Sequence, residues 1–241
     1  MRNRFPKAFL VTSAIIGALC ASALRAEDTK LVQTNLVSDI AGLAKITDPE
    51  LVNPWGVSHS PTSPVWVSNQ GKNTSTLYAV TDQTTVTKTN INPPAGFVQI
   101  PTTAAGPQGP TGQVNNTNTS SFPVFGGGDG GSAHFIFANL NGTISAWDTG
   151  PTAFIQFLTP GAVSTAVYTG LAINGAQTRL YAANDAGTGS VDVFDSNFAP
   201  VSLAAGAFVD PALPAGQRRI VECICAKGEW CEFAIENIDA A

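Results

Sequence analysis

His134-Phe-Ile-Phe-Ala-Asn-Leu-Asn-Gly-Thr-Ile-Ser-Ala-Trp-Asp148 is the stretch on which the fold turns. Asn141-Gly142 supplies the residue types that a type I′ turn needs at its two positive-φ positions, and apolar residues run away from it on both sides. Two antiparallel strands joined by a tight turn are the expected result.

Two further stretches repeat this pattern. Upstream lie Pro54-Trp-Gly-Val-Ser-His, Pro64-Val-Trp-Val-Ser-Asn69 and Gly71-Lys-Asn-Thr-Ser-Thr-Leu-Tyr-Ala-Val80. Downstream lie Thr169-Gly-Leu-Ala-Ile-Asn, Arg179-Leu-Tyr-Ala-Ala-Asn184 and Gly187-Thr-Gly-Ser-Val-Asp-Val-Phe-Asp195. Each unit has a Gly-apolar strand, an apolar-aromatic strand ending in Asn, a Gly-containing turn and a third strand. The terminal residues Asn69, Asn139 and Asn184 are 70 and 45 positions apart. The second interval fits a four-stranded propeller blade of roughly 40–45 residues. The first is lengthened by residues 92–132, a stretch dense in Pro and Gly that reads as a loop insert, pinned to the body by Val98 to Ile100 and by Phe122 to Phe125. Residues 27–216 hold 17 charged groups in 190 positions and no apolar series at helical spacing, so an all-β chain is expected. Without the insert, these residues make about three to four blades at that repeat length. The expected fold is therefore a β-propeller-like domain over 27–216 that falls short of a six-bladed ring.

Asn53-Pro-Trp-Gly-Val, Val65-Trp-Val-Ser-Asn-Gln-Gly, Ala138-Asn-Leu-Asn-Gly-Thr-Ile-Ser-Ala-Trp and Leu180-Tyr-Ala-Ala-Asn-Asp, taken in this order, resemble an uncharacterised family of secreted bacterial proteins. The repeats of that family are like those of NHL and lactonase-type six-bladed propellers. The resemblance runs from about Leu31 to Gly216. It implies a fold and a compartment, and brings no active-site motif with it.

Both ends differ from the body. Met1 to Lys7 carries three cations, Ala8 to Ala23 is apolar, and small residues precede Glu27-Asp28. This is the order of a secretory signal peptide, here assigned to residues 1–26 and expected to be cleaved after Ala26 or Ala23. The apolar run is shorter than the roughly 20 residues of a bilayer span, so no stable membrane segment is expected after cleavage. Residues 217–241 hold eight charged groups in 25 and no Ser, Thr or Pro. They read as an atypical tail, expected from a frameshift or truncation near Gly216, with an authentic C-terminal helix over Cys231 to Ile238 as the alternative. Cys223, Cys225 and Cys231 lie in this tail at a spacing unlike that of a zinc or redox pair, and no cysteine lies between Ala21 and Gly216. The body is expected to fold without disulfides and to be exported, to the periplasm or beyond the cell.

The chain has 12 Lys and Arg against 17 Asp and Glu, and four of the cations belong to the leader. Such an acidic body lacks the basic footprint that a nucleic-acid backbone needs, which excludes that partner class. No G-x-S-x-G elbow occurs, and His59 and His134 are the only histidines; both are expected at strand ends without a catalytic partner. Asp185, Asp192 and Asp195 cluster, and calcium favours converging oxygens; this is the one weak metal candidate, set against ordinary turn chemistry. Asp129 stands in the glycine run 126–131, which lacks the ending of a phosphate loop and reads as a linker. Trp55, Trp66 and Trp147 read first as core aromatics and second as sugar-stacking surfaces. These residues point to a binding or interaction module for a protein or carbohydrate ligand rather than an enzyme, with no required cofactor. A calcium-dependent lactonase-type hydrolase and a non-functional fragment are the alternatives. The open sheet edges of an incomplete ring would favour self-association.

Overall fold

A computed structural model describes residues 32–208, apart from Gln83, Ala105 and residues 160–164. The chain separates after Gln33 into two compact units, and the fold below is that of the second, from Thr34 onward. The signal peptide assigned to residues 1–26 and the tail 217–241 with its three cysteines lie outside the described residues.

The described residues open with two short parallel strands, β1 (Val37–Ser38) and β2 (Ile46–Thr47). Blade 1 follows as an antiparallel meander of β3 (Pro54–Ser58), β4 (Val65–Asn69) and β5 (Thr74–Val80), with a single 3₁₀ turn at Gln70–Lys72. Its outermost position is shared by two short strands, β6 (Val86–Lys88) on one half of β5 and β7 (Phe97–Gln99) on the other. Blade 2 comprises β8 (Pro110–Asn115), β9 (Phe135–Asn139), β10 (Thr143–Trp147) and β11 (Phe154–Leu158). Blade 3 comprises β12 (Tyr168–Ile173), β13 (Leu180–Asn184) and β14 (Ser190–Phe194), with Phe194 bridged to Pro200. The described residues are thus all-β and propeller-like, with three blades.

The stretch 92–132, expected as loop, holds both β7 and β8, and β8 is the innermost strand of blade 2. Its composition concealed it. Pro110 stands at the strand start, where a missing N–H costs no ladder bond, and Gly112 is required by close packing rather than by a turn. The remainder of the stretch also packs: Val98, Ile100 and Phe122 are completely buried. The Phe122 N–H donates to the Ser196 carbonyl of blade 3, and the Phe122 ring lies 5.2 Å from that of Phe198.

Inner strands β3, β8 and β12 lie side by side, and the glycine of one strand meets the backbone of the next. A Cβ on Gly56 would sit 2.3 Å from the Thr111 carbonyl oxygen, and one on Gly112 would sit 2.2 Å from the Leu171 nitrogen. In blades 2 and 3 the residue after the glycine points the other way, toward the preceding blade. Gln113 uses that position to donate to the carbonyls of Gly56 (3.0 Å) and Trp66 (2.5 Å), while the Thr111 hydroxyl lies 2.8 Å from the Tyr168 carbonyl.

The core falls into layers between blades. Trp66, Leu77, Val98 and Ile100 of blade 1 pack against Phe135, Phe137 and Ala153 of blade 2. Val114, Ile136, Ala138, Ile144 and Ala146 of blade 2 pack against Leu171, Ile173, Leu180, Ala182 and Phe194 of blade 3. The far face of blade 1 receives Leu36, Val37, Ile46 and Leu51 against Val65, Val67, Tyr78 and Val86. The segment from Leu36 to Leu51 thereby forms a strap in the place where a ring would put another blade. Asp48, 2% exposed, fastens it: its carboxylate accepts from Tyr78 Oη at 2.7 Å and pairs with Lys88 Nζ at 2.8 Å.

The hairpin between β9 and β10 forms with a different turn from the one expected. Gly142 has φ +72 and Asn141 is not in the left-handed region; the Gly142 N–H closes onto the Asn139 carbonyl at 3.1 Å. This is the three-residue connection with glycine in its last position rather than a type I′ turn. The side chain of Asn141 selects it, accepting from the Thr143 N–H and hydroxyl and donating to Gln108 Oε1 at 2.9 Å.

Candidate functional site

The Asn that ends the second strand of each unit does the same work three times. Asn69 Nδ2 donates to the hydroxyls of Thr74 and Thr76, and Asn139 Nδ2 to those of Thr143 and Ser145. In blade 3 the third-strand acceptor is a carboxylate: Asn184 Nδ2 lies 3.1 Å from Asp192 Oδ2. These repeats brace the strands. The side-chain oxygen of Asn184 accepts from the Val167 and Ala186 N–H groups, whereas those of Asn69 and Asn139 are buried without a partner among the described residues.

The same bracing accounts for the acidic residues singled out in the sequence. Asp192 also accepts from Tyr168 Oη (3.1 Å) and Ser190 Oγ (3.0 Å). Asp195 Oδ1 accepts from the N–H groups of Asn197 and Ala199 and closes a turn. Asp185 starts the β13–β14 turn, with its N–H on the Val167 carbonyl. Among the described residues no three His, Cys, Asp or Glu side chains converge as a metal site would require. Burial, and then the nearby Asp192 carboxylate, push the Tyr168 phenol well above its ordinary value.

An open cleft of about 730 Å³ lies between blades 1 and 2, at the end where β3 and β8 finish. One side is built from Ser60 to Pro64 and from Thr89 to Ile91; the other is built from Asn115 to Thr119, from Gly131 to Phe135 and from Asp129 and Trp147. Trp66, Leu77 and Phe135 make its apolar floor, with Trp66 stacked on Phe135 at 4.0 Å and tilted against Trp147 at 4.9 Å. Trp147 is half-buried; its indole N–H donates to the Gly150 carbonyl, and its ring meets that of His134 edge-on at 6.1 Å.

The wall is held by its own hydrogen bonds. Asn115 Nδ2 donates to the His134 carbonyl and Asn116 Nδ2 to the Ala133 carbonyl, while Asn118 Oδ1 caps Ser120. The glycine run 126–131 is anchored as well. Buried Asp148 accepts the N–H groups of Asp129 and Gly130 on one oxygen and that of Thr149 on the other. A Cβ on Gly128 would strike the Asp148 carboxylate, so the residue must be glycine. The linker reading thus gives way to a clamped loop that holds Asp129 at the cleft. The Gly131 N–H, foremost, keeps the Asp129 carboxyl below the usual carboxylate range.

Asp129 and His134 are the titratable groups in the lining, which contains no Lys or Arg. Of the two histidines, His134 thus borders the cleft; His59 is exposed next to it in sequence at Ser60, its Nδ1 3.1 Å from the Ser60 carbonyl. Three of the four tryptophans separate by role. Trp66 is core, Trp147 faces the cleft, and Trp55, expected in the core, is 40% exposed on β3. The signal that would have found the cleft is the pair of polar strand-end loops, Ser60 to Pro64 and Asn115 to Thr119, yet their juxtaposition depends on β8.

Comparison with protein-family models finds no match, and comparison with curated proteins finds none either. Among solved structures, the chain is similar to a streptogramin B lyase at 12% identity and a TM-score of 0.28. That similarity covers 62% of this chain and 56% of the other, so the chain spans little more than half of that protein's length. The blade order of β3 to β14 stands on its own hydrogen-bond registers: three antiparallel sheets with their inner strands side by side, an all-β propeller-like fold.

Proposed function

We propose that this protein is an exported binding module that takes a neutral, polyhydroxylated ligand, a carbohydrate chain, in the cleft between blades 1 and 2. The observation that carries the reading is the composition of that cleft. Amide and hydroxyl groups line its rim, an indole forms one wall, and no cation is present to attract phosphate or carboxylate. Sugars are held by such a combination, with an aromatic face against the ring and polar groups against the hydroxyls. Asn90 and Thr119 line the cleft, and their side chains have no hydrogen-bond partner among the described residues, which offers them to a ligand. Export belongs to the same reading and rests on the leader of residues 1–26. So does kinship with NHL and lactonase-type propellers, which rests on the repeated Gly-strand and Asn-ended strand.

Binding to an array of neutral oligosaccharides is the test, with calorimetry on any positive. Trp147→Ala should weaken binding by at least about tenfold, since stacked aromatics carry much of such an interface. Asn90→Ala, which leaves the cleft wall intact, should weaken it by about threefold to tenfold, the worth of one hydrogen bond. Binding that survives both variants would place the ligand elsewhere; an array without positives would remove the carbohydrate reading.

A further inference from the structure

We propose that Asp129 sets the specificity of the cleft, accepting hydroxyl donors from the ligand and turning away acidic glycans, so that the ligand is a carbohydrate without carboxylate or sulfate groups. The proposal rests on the carbohydrate reading above and adds to it the residue that chooses among sugars. It starts from the glycine run 126–131, whose composition would suit a cradle of N–H groups for an anion. The fold turns that cradle inside out. The N–H groups of Asp129 and Gly130 are taken up by buried Asp148, and that of Gly131 by the Asp129 carboxylate itself. Asp129 and Gly131 are the loop residues that reach the cleft, so the loop brings it a negative charge and no N–H from either. Gly128 fixes this arrangement, since a Cβ there would have no room beside Asp148.

The neighbouring segment commits its donors in the same way. The N–H groups of Asn116, Thr117 and Asn118 go to the His134 carbonyl, the Gln177 side chain and the Asn116 side chain. The side-chain nitrogens of Asn115 and Asn118 go to the carbonyls of His134 and Ala176. What this wall has left for a ligand is the Asp129 carboxylate, the side-chain oxygen of Asn115, the Thr119 hydroxyl and the His134 ring. Asp129 is exposed and charged at neutral pH, because the Gly131 N–H, foremost, holds its carboxyl below the usual range. An ionised carboxylate accepts and does not donate, so it takes sugar hydroxyls through charge-assisted hydrogen bonds. A uronate carboxylate or a sulfate ester brings only further acceptors and a like charge to a lining that holds no Lys or Arg.

The test is a glycan array that carries neutral oligosaccharides beside uronic-acid and sulfated members of the same backbones, read at about pH 8, where an ordinary imidazole is neutral. The unaltered protein should bind neutral members and hold their acidic counterparts at least about tenfold more weakly. Asp129→Asn keeps an oxygen for the Gly131 N–H, so its thermal unfolding should match that of the parent. Its affinity for the neutral members should fall about tenfold, and the preference against the acidic ones should vanish. Salt supplies a readout on the unaltered protein alone, which does not depend on a variant folding: the discrimination should narrow as ionic strength rises from about 0.01 M to 1 M. Acidic members bound as tightly as neutral ones, a discrimination that salt leaves unchanged, or one that persists in Asp129→Asn would each overturn the proposal and leave the carbohydrate reading in place. An array on which neither class binds would remove that reading and the proposal with it.

Discussion

Gly112 shows how much one residue without a side chain decides. The added Cβ of Gly112→Ala would lie 2.2 Å from the Leu171 backbone nitrogen, which cannot move aside as a flexible side chain would. Forcing strands apart at this point should cost about 3 kcal/mol, the upper range for overpacking, and Gly56→Ala should behave likewise against Thr111. Urea denaturation of the two variants checks this; a change under about 1 kcal/mol would mean that the inner strands can separate without penalty. Gln113→Leu tests the same junction from its polar side. It leaves the Gly56 and Trp66 carbonyls without their buried donor, which should cost about 1–3 kcal/mol. The glycines of the repeat were plain in the sequence at 56 and 170, but Gly112 was hidden among the glycines of a region read as loop. Spacing alone does not reveal a close approach between strands that belong to different units.

At the scale of elements, the glycine run 126–131 owes its shape to an acceptor that the run itself does not contain. Asp148, at the end of β10, collects three backbone N–H groups and is buried. Asp148→Ala should free the loop and cost about 2 kcal/mol, with faster amide exchange at Asp129 and Gly130 as its signature. Exchange unchanged from the parent would show that the loop is held by its neighbours instead. The hairpin β9–β10 makes the opposite point. Its strands were legible from Phe135 to Trp147 because alternation and a turn dipeptide are local signals. Its turn type was not, since Gln108, from the stretch before β8, takes the Asn141 amide and holds that side chain inward.

For the molecule as a whole, stability should hold across a broad pH range and fail at both ends. Burial works against the charge of Asp48, but Lys88, Tyr78 and the Glu50 N–H outweigh it and hold its carboxyl below the ordinary value. A depressed carboxyl contributes its stability above the unfolded value, near 4, and loses it as pH falls through the lower folded one. Burial foremost, and then Asp48, raise the Tyr78 phenol, and Tyr168 is raised as well. Raised phenols stabilise below about pH 10 and cease to do so as pH climbs through their folded values. Thermal unfolding by circular dichroism should give a plateau between about pH 4 and 10 with falls on either side. Asp48→Asn should flatten part of the acid fall and Tyr78→Phe part of the alkaline one. An acid limb identical in Asp48→Asn would take the strap out of the account.

What the sequence determined by itself is whatever recurs locally: the all-β character of the described residues, the strands ending at Asn69, Asn139 and Asn184, and the acidic composition. Strand alternation and turn residues act over a few positions, so they survive without any partner in space. Only the tertiary structure decided that Pro110–Asn115 is an inner strand, that Leu36 to Leu51 straps blade 1, and that Asp192 braces Tyr168, Asn184 and Ser190 within its own blade. It also placed Trp66 in the core, Trp147 in a cleft and Trp55 in the open. The physical reason is the same in each case. A blade buries a face only against its neighbour, and which neighbour it meets is set by packing between residues some 40 to 60 positions apart, beyond the reach of any local pattern.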